Sequence, residues 1–225
     1  VDLHSGIYGG AVANPAMVAA QLAASLQDAT SGKVLIDGFY DRVRPLEDWE
    51  GATWAKLPDG DKEIFDQCGV PQLFGEEGYD SYQRRWARPT AEVNGIGGGY
   101  QGEGSKTVIP KESMVKLSFR LVPDQDPKEI LDLVEKHLRK HCPPSVNLAI
   151  EPGHNGHAYV MDPNTGFGLA AQNALRKTFD AEPMLIREGG SIPIIQSFKD
   201  LLGVDTLMLG LALPDCMAHA PNENF

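Results

Sequence analysis

The sequence predicts an α/β chain: an α+β domain of ferredoxin-like order comes first, then a region of alternating helices and apolar strands. Three observations predict this. The elements of the first region run strand, helix, strand, strand, helix, strand. Residues Met114 to Val122 place Val115, Leu117, Phe119 and Leu121 in alternation with Lys116, Ser118 and Arg120, the pattern of a half-buried strand. After Asp162 helices alternate with short apolar runs, as in a parallel sheet covered on both faces. The boundary falls near residue 160, giving regions 1–158 and 159–225.

The elements follow in order. After Gly6, Gly9 and Gly10, Asn14 caps a helix with Pro15 in its first turn and Val18, Leu22 and Leu26 on one face. About residues 38–88 read as an irregular insertion with a few short helices, carrying Trp49, Trp54 and Trp86 among acids. A glycine-rich loop, Gly95 to Gly99, precedes Lys106 to Pro110 and the strand from Met114. Asp126 and Pro127 open a second helix through Ile130, Leu131, Val134 and Leu138, and Val146 to Ile150 reads as a strand. Beyond the boundary come a helix from about Gly166 to Phe179, a short strand from Met184 to Arg187, the Gly189-Gly190-Ser191 turn, a helix through Phe198 and Leu202, and an apolar strand from Thr206 to Leu213.

Composition narrows the function classes. The 225 residues are 42% hydrophobic and 23% charged, ordinary for a globular protein. A net charge of -11 disfavours nucleic acid, whose sequence-independent binding rests on Lys and Arg displacing counterions. No apolar run approaches the roughly 20 residues that cross a bilayer, so no membrane partner is expected. Cys68, Cys142 and Cys216 are odd in number and widely spaced, which suits a reducing compartment; the chain is expected to be soluble and cytoplasmic. The opening Val1-Asp2-Leu3-His4, without an initiator methionine, reads as a cut from something longer.

Several residues carry possible chemistry. The turn at Gly189-Gly190-Ser191 between a strand and a helix offers backbone N–H groups and a helix dipole to a carboxylate or phosphate, though most such turns only reverse the chain. His219 follows the strand Thr206 to Leu213, with Asp215 and Glu223 nearby; it is either a metal ligand or an exposed loop histidine. His137 and His141 stand four apart, but Lys136, Arg139 and Lys140 surround them in a last helical turn, which favours a structural reading. Arg120 either faces solvent or grips a carboxylate with two parallel hydrogen bonds. Neither HExxH nor His-x-Asp occurs, and no serine lies in Gly-x-Ser-x-Gly.

Five segments together are more specific than any one. Asp2-Leu3-His4-Ser5-Gly6, Gly104-Ser105-Lys106-Thr107-Val108-Ile109-Pro110, Phe119-Arg120-Leu121-Val122-Pro123, Arg187-Glu188-Gly189-Gly190-Ser191-Ile192-Pro193 and His219-Ala220-Pro221-Asn222-Glu223 occur in that order. In this they resemble the carnosinase and cytosolic non-specific dipeptidase family, within the aminoacylase and carboxypeptidase G group of dinuclear zinc hydrolases. The resemblance implies a lid domain that mediates homodimerisation, residues 1–158, followed by the C-terminal part of a zinc-peptidase catalytic domain, residues 159–225. His4 then matches a lid histidine that reaches the neighbouring subunit's active site, and Thr107 a residue contacting substrate across the dimer. Arg120 matches the residue that binds the substrate's terminal carboxylate, assisted by Gly190 and Ser191. His154 matches a substrate-contacting histidine, without the Pro-Trp that usually follows it. His219 matches a zinc ligand.

The implied activity is metal-dependent hydrolysis of dipeptides or short peptides, with two zinc ions in the complete site and Mn or Co as alternatives. The family's other ligands and its general base come from segments preceding the lid that have no counterpart in these residues, so the chain is expected to be inactive alone. A non-catalytic dimerisation and ligand-binding module, or an aminoacylase acting on N-acyl amino acids, are the alternatives. Arg187-Glu188-Gly189-Gly190-Ser191 and the long insertion favour the dipeptidase branch.

Overall fold

The computed structural model describes residues 1–188, 192–210, 216–217 and 220–224. It divides into two compact units, Val1–Val160 with Met184–Pro193, and Met161–Pro183 with Ile194–Phe225. Both are built of helices and, in the first, small antiparallel sheets.

In the first unit, β1 (Leu3–His4) pairs antiparallel with β3 (Val108–Ile109), and β2 (Thr90–Gly98) pairs antiparallel with β4 (Ser113–Arg120). The glycine-rich segment expected as a loop is largely strand: Gly95, Gly97 and Gly98 lie opposite Lys116, Met114 and Ser113. A register shift between Val93 and Gly95 leaves Asn94 as the extra residue, the kind of irregularity that glycines beside a strand accommodate. The shift brings Ile96 opposite Val115, so the two stay in step across the irregularity.

Helices α2 (Pro15–Ala24) and α6 (Pro127–His141) cover this sheet and start as the sequence dictates. Asn14 Oδ1 accepts from the Ala16 N–H at 2.9 Å, and Asp126 Oδ1 accepts from the Lys128 and Glu129 N–H groups at 2.8 and 3.0 Å. Each helix lays a four-residue repeat into one core: Val18 and Leu22 from the first, continued by Leu26 just past its end, and Ile130, Val134 and Leu138 from the second. Phe39, 1% exposed, fills the space between them and meets Phe119 of β4 at a ring separation of 6.1 Å. Gln125, also buried, accepts from the Val122 N–H at 3.0 Å and donates to the Phe39 carbonyl at 2.7 Å, so the core is closed by satisfied polar groups.

Val146 to Ile150, expected as a strand, joins no ladder among the described residues. Its alternation is nonetheless real: Val146, Leu148 and Ile150 are half-buried against the core while Asn147 and Ala149 face outward. Period-two patterning records which face is covered, and a ladder partner is a separate requirement.

The insertion contains α3 (Asp48–Trp54), α4 (Gly60–Cys68) and α5 (Ser81–Trp86). Trp86 joins them, stacked on Tyr82 at 4.6 Å and edge-on to Trp54 at 5.2 Å. Arg88 closes the segment with two 2.7 Å hydrogen bonds to Glu76.

Met184 to Arg187, the other short expected strand of the described residues, also joins no ladder; it packs on α3 instead. In the second unit the described elements are α7 (Gly166–Phe179) and α8 (Pro193–Leu202). The expected strand from Thr206 forms no ladder over 206–210, and residues 211–213 lie outside the described set. In this unit Phe167, Phe179, Phe198, Leu201 and Leu202 are exposed. Among the described residues, no helix is long and apolar enough to cross a membrane.

Candidate substrate-holding site

The fold joins two of the motif residues across 103 positions of sequence. The short β1–β3 ladder sets His4 opposite Val108, and the Ser5 N–H donates to the Thr107 carbonyl at 3.1 Å. Asp2 Oδ1 accepts from the Lys111 N–H at 2.9 Å and pins the far end of the ladder. In this frame the His4 ring lies between two partners: the Gly6 N–H donates to Nδ1 at 3.1 Å, and Nε2 is 3.2 Å from Thr107 Oγ1.

That arrangement fixes the tautomer of the neutral ring. A nitrogen accepting a backbone N–H carries no proton, so the proton sits on Nε2 and is donated to the threonine hydroxyl. His4 and Thr107 are both exposed, so this N–H is presented at the surface and can exchange the hydroxyl for another acceptor.

Arg120 ends β4 opposite Thr90, on the face away from Phe119, whose ring holds the strand to the core. His154 lies, exposed, in the segment without helix or strand that follows Ile150. Gly190, Ser191 and His219 fall outside the described residues. Residues 185 and 187 are firmly held. Arg187 Nε donates to Glu50 Oε1 at 2.7 Å, its Nη2 donates to the same oxygen, and Trp54 Nε1 donates to the Leu185 carbonyl at 3.1 Å. Sequence reasoning did not find Glu50: its partner is 137 residues away, and one acid among many in the insertion carries no local signal.

His137 and His141 perform a structural task. His137 Nε2 donates to the Ser25 carbonyl at 3.1 Å and faces Ser25 Oγ at 3.1 Å, tying α6 to the end of α2. His141 Nδ1 donates to the His137 carbonyl at 2.8 Å, and the two rings lie 4.1 Å apart. Burial, then the facing His141 and more weakly Lys140, hold the His137 pKa below its ordinary 6.5, against the opposing pull of the Ser25 carbonyl and Asp37. Because the folded state disfavours the proton, the unfolded chain binds more protons once pH falls through about 6.5. Stability is therefore fully present above that value and declines below it until the folded pKa is passed. Thermal midpoints measured between about pH 7.5 and 5 should fall less for His137→Gln than for the parent, once the variant's own loss at neutral pH is subtracted.

The class these features define is a small antiparallel sheet covered by helices that presents a histidine on a short edge ladder. The family is explicit in the sequence: residues 1–146 match the peptidase dimerisation domain model, M20_dimer, and the chain belongs to that family. Among curated relatives, it is 37% identical to the Cys-Gly metallodipeptidase DUG1 of Candida albicans over 99% of this chain and 46% of that protein. It is 29% identical to the human Beta-Ala-His dipeptidase over 99% of this chain and 44% of that protein. Among solved structures, the M20 family metallo-carboxypeptidase Sso-CP2 from Sulfolobus solfataricus superposes with a TM-score of 0.85 at 32% identity, covering 99% of this chain and 50% of that one. The chain thus spans about half the length of the relatives it matches.

Metallopeptidase relatives imply a metal cofactor. Among the described residues no group of three or more His, Cys, Asp or Glu is placed to hold an ion, so these residues do not make a metal site of their own.

Proposed function

We infer that this chain supplies the substrate-holding and dimer-forming part of a zinc-dependent dipeptidase acting on dipeptides or short peptides. The observation that carries the reading is the likeness to a Cys-Gly metallodipeptidase along 99% of the chain. Regions 1–158 and 159–225 serve as lid and as the last part of the catalytic domain, and two lids pair to form a homodimer. His4, its Nε2–H held ready by Thr107, donates to the carbonyl oxygen of the bond to be cleaved in the neighbouring subunit, where negative charge develops. Thr107 takes up its own substrate contact as the hydroxyl is released. Arg120 grips the terminal carboxylate, with Gly190 and Ser191 assisting from the turn and His154 flanking the substrate. His219 is a metal ligand, with zinc favoured and Mn or Co acceptable to a histidine-carboxylate set. The reaction takes place in the cytoplasm.

The test is hydrolysis of Cys-Gly, β-Ala-His and a panel of simple dipeptides by the complete protein, after chelation and after return of zinc, manganese or cobalt. Activity should vanish on chelation and return best with zinc. Residues 1–225 purified by themselves should hydrolyse none. Cleavage of N-acyl amino acids with dipeptides untouched would transfer the protein to the deacylases, and robust hydrolysis by residues 1–225 alone would refute the division of labour.

A further inference from the structure

Three glycines follow His4 closely, and each answers to a different neighbour. Gly10 has a φ of +82°, in the left-handed region that glycine enters at no steric cost. At Gly9 a Cβ would stand 2.4 Å from the Ser5 carbonyl oxygen, so this glycine lets the chain close on itself. Gly6 has neither reason. It lies within α1 (Ser5–Tyr8), and its φ is not positive. Among the described residues, outside its chain neighbours and its own helix backbone, a Cβ at this position would meet two atoms only. Both belong to the His4 ring: Cε1 at 3.0 Å and Nδ1 at 3.2 Å.

In a helical turn glycine is a poorer choice than any residue but proline, and alanine is the best. Local propensity therefore opposes Gly6, and nothing in the backbone asks for it. The imidazole does. Its ring comes near enough to position 6 for the Gly6 N–H to donate to Nδ1 at 3.1 Å, and that approach leaves no room for a methyl group. Carbon atoms settle at about 3.5–4.0 Å from one another, so an alanine would displace the ring by a few tenths of an ångström. Because His4 is exposed, the ring yields and the fold does not. In yielding it leaves the Gly6 N–H on one side and Thr107 Oγ1, 3.2 Å from Nε2, on the other.

We propose that Gly6 is a positioning residue: the lack of a side chain there lets the His4 imidazole rest on the Gly6 N–H, which keeps the ring's proton on Nε2 and fixes the direction in which it is offered. This rests on the role proposed above for His4 as donor to the substrate carbonyl.

The experiment is a double-mutant cycle in the complete enzyme, comparing the parent, Gly6→Ala, His4→Ala and the double variant. For each, kcat and KM for one dipeptide, thermal midpoint and oligomeric state are measured. Gly6→Ala should lower kcat about tenfold with KM within about twofold, since a misplacement of about 1 Å costs roughly a hundredfold and this one is smaller. The thermal midpoint should hold or rise, because alanine suits the turn better. In the His4→Ala background the same substitution should cost nothing further, as no ring remains to be displaced. A glycine that merely serves the fold or the subunit contact would cost the same factor in both backgrounds, and that result overturns the proposal. Gly6→Ala with parent activity overturns it too, as does a Gly6→Ala chain that cannot fold, since the exposed ring is expected to give way before the backbone. Histidine-labelled NMR of the parent adds a readout independent of turnover. The His4 ring, recognised by its absence from His4→Ala, should be the Nε2-protonated tautomer when neutral, and an Nδ1-protonated ring contradicts the rest on the Gly6 N–H. His4→Ala as active as the parent overturns the role of His4 itself, and the proposal with it.

Discussion

In the complete enzyme, Arg120→Ala should lower kcat/KM for a free dipeptide by a few hundredfold while changing that for the C-terminal amide by only about threefold. Truncating one partner of a hydrogen-bonded charge pair costs about 2–5 kcal/mol, and each 1.4 kcal/mol is about tenfold. The amide has no charge for the guanidinium to meet, so it starts poorer and has less to lose. Fold damage is not expected to confuse the result. Arg120 is exposed at the end of β4, its backbone is held opposite Thr90, and the neighbouring Phe119 carries the packing against Phe39. Contacts of an exposed charged side chain contribute about 0–1 kcal/mol, which the fold can lose. Arg120→Lys separates charge from shape: an ammonium keeps the attraction and loses the planar fork, so it should fall between parent and alanine. Equal losses on acid and amide would remove the carboxylate role.

How far the sequence alone reached depended on the range of the physics involved. Helices α2 and α6 were legible because caps and four-residue repeats are local: Asn14 and Asp126 announce the starts, and Val18–Leu22 and Ile130–Val134–Leu138 show the buried face. β4 was legible for the same reason, since alternation needs no knowledge of the partner strand. Val146 to Ile150 shows the limit: its alternation is kept in burial, yet no described strand pairs with it. The glycines of β2 concealed a strand, because Gly95, Gly97 and Gly98 have no side chains with which to display a pattern.

The same distinction applies to the site. His4, Thr107 and Arg120 were found as members of ordered motifs, but the contact between His4 and Thr107 spans 103 residues and is created by a ladder of two residue pairs. The tautomer of His4 follows only from seeing the Gly6 N–H beside Nδ1. Glu50 lay wholly beyond sequence reasoning. A buried acid is recognised by its partners, and Arg187 is remote in sequence and Arg44 six residues off.

If His4 serves the neighbouring subunit, two dead variants should make a live enzyme. A homodimer of His4→Ala lacks the carbonyl-polarising donor in both sites, and loss of one such donor costs about 10²–10³ in kcat. A homodimer of His219→Ala lacks a metal ligand in both sites and should be inactive. In a mixed dimer the catalytic domain of the His4→Ala subunit keeps its own His219 and receives an intact His4 from the other subunit, so one of the two sites is complete. With equal amounts and random exchange half the dimers are mixed, and each has one good site; recovery should approach about a quarter of the parent activity, as two-fold symmetry requires. Were His4 to act within its own subunit, no site in the mixed dimer would be complete and mixing would restore nothing. The readout is therefore a gain of activity, which neither misfolding nor weak association can imitate. The geometry supplies the reason to expect the gain: β1 and β3 hold the His4 Nε2–H at an exposed edge, satisfied by the exposed hydroxyl of Thr107, where an incoming carbonyl can replace it.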